Sequence, residues 1–245
     1  MHKFLLCLVC VVATSAWADS PTTRLLVVVG LVKEAKVAQG NDMTLLVSSA
    51  NSERLAEHLR NEDVRDVHAI VSFGVAGGLH PELKAGDVIV PDAIKKGDQT
   101  WFTDPSLTEK FRQRLQAQGL THHDGTIAGA DSVAATPQDK AKKFAETGAK
   151  AVDMESHIAA AWAAENGIPF GVIRVVSDAA HRSLPLAALN ALTAEGEVRL
   201  LPILTGVLKD LRQVRQLVHA GIDSRKAFSR LAQCQALLNQ VENRN

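Results

Sequence analysis

The stretch PFGVIRVVSD (169–178) carries apolar residues on consecutive positions instead of alternate ones. A strand with one wet face alternates polar and apolar residues. A strand that is apolar at nearly every position is covered on both faces, as in sheets held between helices. Two more runs share this pattern. LLVVV (25–29) is one, and VHAIVSFGVAGGL (67–79) is the other, read as a strand followed by a glycine-rich turn.

Helical patterns fall between these runs. One starts around Lys33, after Gly30. SERLAEHLRN (52–61) is amphipathic, with Ser52 as its expected N-cap, and 104–118 suits a helix opened by DPSLTEKF. TPQDKAKKFAETG begins on Thr136-Pro137 and closes on Gly148, a residue that readily takes the left-handed conformation after a helix. A further helix, 155–166, ends at Gly167, and short strands are expected over 43–50, 86–94 and 125–131. Alternating strands and helices predict a three-layer α/β/α domain around a mixed central sheet, assigned to 24–182. No linker or internal repeat interrupts it. From 183 to 245 the chain reads as a helical C-terminal extension packed on that domain. The competing reading of its Leu/Val stripes and interspersed Arg and Lys is a basic amphipathic surface in peripheral contact with a membrane.

Charge and composition exclude several classes. Lys plus Arg and Asp plus Glu number 27 each, so the chain as a whole does not attract nucleic acid. Tyr is absent and aromatics make up 4%, which argues against base-stacking platforms. Cys7, Cys10 and Cys234 form no metal-ligand pattern. Cys7 and Cys10 lie in the apolar run 4–13, between Lys3 and Ala16-Trp17-Ala18, which together make a secretory signal pattern over 1–18. The run is short for a membrane span. The expected location is therefore exported, or periplasmic; an uncleaved segment or a misassigned start gives the alternative, a cytoplasmic, membrane-associated protein. No metal or cofactor is expected. No His, Cys and Asp set has zinc spacing, and G-x-S-x-G, G-x-G-x-x-G and P-loop patterns are missing.

In open α/β sheets ligands sit at the carboxyl ends of strands. Four features fall there: Glu34 after the first strand, Ser72 to Gly78 following the third, Met154-Glu155 after AKAV, and Ser177-Asp178 ending 169–178. Glu155 shares a helical face with Ile158, Ala159 and Trp162, where a carboxylate is costly unless it is paired or faces a cavity. The plain alternative is that first-turn N–H groups satisfy it. Asp178 likewise is either a buried acid able to donate a proton or a cap on the next helix. Arg174, inside an apolar strand, pairs with a carboxylate or phosphate, or holds a sheet edge. His122-His123-Asp124 reads as a solvated turn, and His157 as a helix-surface residue.

Three segments taken in order, VSFGVAGGLHPELKAGDVIVPDAI, AVDMES and VIRVVSDAA, resemble the nucleoside phosphorylase and nucleosidase superfamily from about Leu25 to Ala180. They are most similar to the branch of methylthioadenosine/S-adenosylhomocysteine nucleosidase. VVVGLVKEAKVA and DSRKAFSRL resemble the hopanoid-associated members that remove adenine from adenosylhopane. The resemblance implies cleavage of a nucleoside or nucleosyl-lipid by a homo-oligomer. Asp178 would protonate purine N7, Glu34 would orient or deprotonate water, and Arg174 would lie near the attacking group. Glu155 and Met154 would hold the ribose, Ser177 would support Asp178, and Gly74, Val75, Ala76 and Gly77 would line the ribose and nucleophile site. Val75 departs from the Ser usual in nucleosidases. The loop GLVKEAK offers Lys33 and Lys36 but no phosphate-binding Arg, which favours water over phosphate. A non-catalytic exported nucleoside-binding protein is the alternative of another class.

Overall fold

The computed structural model describes residues 24–40, 43–49, 51–185 and 212–241. The signal pattern over 1–18 lies outside these residues, as does much of the extension between 186 and 211. Ten strands form one mixed sheet. β1 (Arg24–Val29) runs parallel to β2 (Met43–Val47) and to β3 (Val67–Gly78), and β3 runs parallel to β10 (Phe170–Asp178). β4 (Val88–Ile89) pairs antiparallel with β10 and parallel with β7 (His122–His123). On the other side of β3, β9 (Ala151–Asp153) pairs antiparallel with its last residues. β9 leads outward through β8 (Thr126–Gly129) to β5 (Ala93–Lys96) and β6 (Gln99–Phe102).

Helices cover both faces, as consecutive apolar positions require. Leu26, Val28, Ile70, Phe170, Val172 and Val176 pack with α2 (Ser52–Arg60) and α5 (Ser156–Asn166). Leu25, Val27, Val71, Phe73, Ile173 and Val175 face the opposite layer of α3 (Pro105–Ala117) and α6 (Arg212–Cys234). The extension thus supplies a helix whose Ala227, Leu231 and Cys234 are buried against the sheet. Among the described residues no helix is long and apolar enough to cross a membrane.

Local chemistry sets several boundaries differently from expectation. α2 is capped by Asn51, whose side chain accepts from Arg54 N, and Ser52 is its first helical residue. The glycines after Phe73 do not form a turn. They continue β3 to Gly78, because β10 pairs with Gly74 to Gly77, Arg174 opposite Gly74, and β9 pairs with Gly77 and Gly78. The expected strand 86–94 is interrupted around Pro91, which lacks the N–H a ladder needs, and resumes as β5. β5 turns at Gly97, with φ of 58°, into the unforeseen β6. His122 and His123 form an edge strand instead of a solvated turn. Thr136 and Gly148 cap α4 (Pro137–Thr147) as expected, with Gly148 left-handed.

Candidate active site

β3 changes partner along one edge. β1 accompanies it as far as Ser72, and β9 joins it only at Gly77. Between these points its backbone is free to meet side chains, and a cleft opens there. The cleft has a volume of 160 Å³, and its walls include Leu31, Glu34, Val75, Ala76, Gly77, Met154, Glu155, Ser177 and Asp178. It lies at the carboxyl ends of β1, β3 and β10, where such sheets place ligands.

Glu34 comes from α1 (Val32–Val37) and folds back on the end of β1. Its Oε2 accepts from Gly30 N at 2.7 Å and Leu31 N at 2.8 Å, and its Oε1 from Val75 N at 2.7 Å. The last of these uses an N–H exposed by the change of strand partner. Burial raises the Glu34 carboxyl above its ordinary range, against the charge of Arg174 and these three N–H groups. Gly74 stands beneath the cleft instead of lining it. A Cβ there would lie 2.6 Å from Glu34 Oε1 and 2.7 Å from Arg174 Nη1, so only glycine lets both approach the strand.

Arg174 also lies below the cleft. It is fully buried in an interior strand, so it does not hold a sheet edge. It occupies the apolar face between Val172 and Val176, and a set of polar groups gathers around it. Its Nε is 2.7 Å from Asp153 Oδ2, close enough for charge pairing although the N–H is not aimed along the contact. Nη2 donates to Ser72 Oγ at 2.6 Å and approaches Ser156 Oγ at 3.3 Å and Glu155 Oε2 at 3.4 Å, while Nη1 donates to Val75 O at 3.2 Å. The guanidinium is therefore engaged by the protein itself.

Glu155 is the N-cap residue of α5, but its carboxylate makes no capping bond. The first-turn N–H of Ser156 goes to Asp153 Oδ1 at 3.0 Å instead. Glu155 turns inward, accepts from Ser48 Oγ at 3.0 Å and abuts Gly30, where a Cβ would stand 2.8 Å from Oε1. Burial pushes its carboxyl up to about 7; Asp153 and Glu34 push the same way, and Arg174 opposes them. One guanidinium cannot neutralise three buried acids, so the surplus charge is relieved by a proton.

Asp178, at the far end, caps no helix. Its Oδ1 accepts from Ser177 Oγ at 2.5 Å and its Oδ2 from the ammonium of Lys140 on α4. Met154 forms part of the same wall.

The structure thus brings Glu34, Glu155, Asp178, Met154, Ser177, Val75, Ala76 and Gly77 to one cleft, with Gly74 and Arg174 directly under it. Sequence reasoning gave no role to Asp153, Ser48, Ser72, Ser156 and Lys140. Asp153 lies within the quoted AVDMES, and a buried arginine two strands away was the signal that a further carboxylate was needed. His157 is buried, not on the helix surface. It packs over Gly129, with Nε2 3.0 Å from Lys96 Nζ, and burial lowers its pKa. Among the described residues no group of three His, Cys, Asp or Glu side chains is placed to hold a metal ion.

Known proteins resemble this chain in sequence and fold. The phosphorylase superfamily model matches residues 27–209. A 5'-methylthioadenosine/S-adenosylhomocysteine nucleosidase of Staphylococcus aureus is 31% identical over 170 residues, spanning 62% of this chain and 72% of the relative. Among solved structures, the Helicobacter pylori enzyme of that name superposes with a TM-score of 0.67 at 15% identity, over 91% of this chain and 100% of that one. Futalosine hydrolase of the same organism gives 0.58 at 18% identity, over 64% and 88%. The chain belongs to the phosphorylase superfamily. Its enzymatic class, N-ribosyl hydrolase or phosphorylase, follows from that membership.

Proposed function

We propose that the protein hydrolyses the N-glycosidic bond of an adenine nucleoside compound, with water and not phosphate as acceptor. One observation carries this reading. The cleft wall holds Glu34, Glu155 and Asp178 and, among the described residues, no Lys or Arg. Arg174 is buried and bonded to protein groups, and Lys33 stacks on Phe228 of α6, 3.8 Å from the ring centre. A phosphate dianion would meet acids and no free cation there, whereas water suits a carboxylate base.

In this reading Asp178, protonated in the reactive complex, gives that proton to N7 and becomes the carboxylate that Lys140 and Ser177 hydrogen-bond, which makes adenine a better leaving group while the sugar gains oxocarbenium character. Glu34, held by three backbone N–H groups and raised by burial, takes a proton from the attacking water. A base with its pKa moved toward the working pH is better matched to that task than an ordinary carboxylate. Glu155 accepts from the ribose hydroxyls, oriented by Ser48 and Arg174, and Met154 packs on the sugar. Ser177 supports Asp178.

For the 5' substituent we propose the hopanoid lipid of adenosylhopane. Its support is the resemblance of the first strand and the tail, together with the apolar residues Leu31, Val133, Ala134 and Leu184 that also line the cleft. The Staphylococcus aureus relative favours a second reading, a small thioether substituent. Purified protein is offered adenosylhopane, methylthioadenosine, S-adenosylhomocysteine and inosine, each with and without phosphate, and free base is measured. Adenine release without phosphate, fastest from adenosylhopane, is expected. Absence of base from every compound refutes the enzyme reading, and strict phosphate dependence refutes hydrolysis.

A further inference from the structure

Helix α4 is a surface helix with one buried residue, and that residue is Lys140, fully enclosed. An apolar side chain would fill the same space without the cost of removing an ammonium from water. Lysine is almost never fully buried unless paired, and here each of its three N–H donors has an acceptor. One is Asp178 Oδ2; the others are Ala179 O at 2.9 Å and Arg182 O at 3.0 Å. The ammonium therefore grips the carboxylate and the backbone turn that follows it, a turn closed by Arg182 N donating to Ala179 O at 3.0 Å. With Ser177 Oγ on Oδ1, both oxygens of Asp178 are fixed in direction. The Arg182 side chain continues the network to α6, 3.4 Å from Asp223 Oδ2 and 3.3 Å from His219 Nδ1. Lys140 does not line the cleft, so it acts through Asp178 and the turn that follows it.

We propose that Lys140 is a positioning residue for the leaving-group acid: it holds Asp178 and the turn 179–182 so that the carboxyl group faces the purine. This rests on the reading of Asp178 as general acid. Misplacing a reacting group by about 1 Å costs about 10²-fold in rate. Lys140→Met is therefore expected to lower kcat on the adenine nucleoside by about 10 to 10²-fold with KM nearly unchanged. Lys140→Arg, which keeps the charge, recovers part of the loss.

A purely structural role is separated by a double-mutant cycle. If Lys140 works through Asp178, Lys140→Met adds nothing to Asp178→Asn, because the acid it positions is already gone. The double variant also leaves no unpaired charge in the pocket, so it reports even if Lys140→Met alone does not fold. A second readout is 4-nitrophenyl riboside, whose phenolate departs without a proton. The ratio of its rate to the adenine nucleoside rate should rise at least about tenfold in Lys140→Met, by the same misplacement cost. Additive losses in the cycle, or equal losses on both substrates, overturn the proposal. A wild-type enzyme that releases no adenine overturns the nucleosidase reading itself. A wild type that turns over and a Lys140→Met variant that keeps its kcat overturn only the role of Lys140.

Discussion

The two ends of the cleft solve the same problem, a buried acid, in opposite ways. At the Glu34 end, three carboxylates share the single guanidinium of Arg174 and the deficit is met with backbone N–H groups, serine hydroxyls and a proton. At the Asp178 end, one carboxylate meets one ammonium and one hydroxyl. The first end can change its charge by releasing or taking up a proton, which suits a group that handles water. The second is charge-matched and held at a fixed angle, which suits a group that must meet one atom of a rigid ring.

The largest effect that would break this contrast is at Asp178. Asp178→Asn preserves shape and removes the transferable proton, so base release should fall by about 10²–10⁴-fold. Steady-state assays on the preferred nucleoside check this, and an unchanged rate would take the acid role away from Asp178.

The next effect tests whether the Glu34 end is charge-strained. Glu155 has a folded pKa of about 7 against an ordinary 4.5, so the proton it binds stabilises the folded state below 4.5 and that contribution fades as pH rises to about 7. The lost contribution is at most about 3 kcal/mol. Glu155→Gln cannot titrate, so the stability of wild type relative to this variant should decline across that pH window. Urea unfolding at intervals from pH 4.5 to 7.5 measures it. A difference that stays flat with pH would show the acid to be fully neutralised by Arg174.

A smaller effect sharpens the packing side of the contrast. Gly74→Ala forces a methyl against Glu34 and Arg174, and overpacking of this kind costs about 1–3 kcal/mol. Gly77→Ala, near Asp178, places its methyl no closer than 3.4 Å to any neighbour and should cost less. Thermal melts of the two variants side by side decide the order.

The fold was legible because burial on both faces leaves its mark on the sequence. β1 reads as a run of Leu and Val after Arg24 and β10 as an apolar run broken only by Arg174 before Ser177-Asp178, and Gly148 and Gly167 stop their helices with left-handed backbone. The acids were legible for the converse reason, as charged residues at the ends of apolar strands. Of their partners, Arg174 and Ser177 were legible and the rest were not. Lys140 sits in KAKKF beside Lys142 and Lys143, and nothing in that run says which lysine turns inward; only its spacing of four from the half-buried Phe144 places it on the packed face. Ser48 and Ser72 are ordinary polar residues until tertiary folding brings them to Glu155 and Arg174. The glycines after Phe73 suggested a turn because local propensity favours one, yet pairing with β10 outweighed that preference.

Glu34 is held by main-chain groups of Gly30, Leu31 and Val75, three residues that also border the cleft. Main-chain anchoring is blind to what those side chains are. The side chains at 31 and 75 can therefore change while the N–H groups that hold Glu34 stay in place, so that the shape of the cleft border and the anchoring of the acid rest on separate atoms of the same residues.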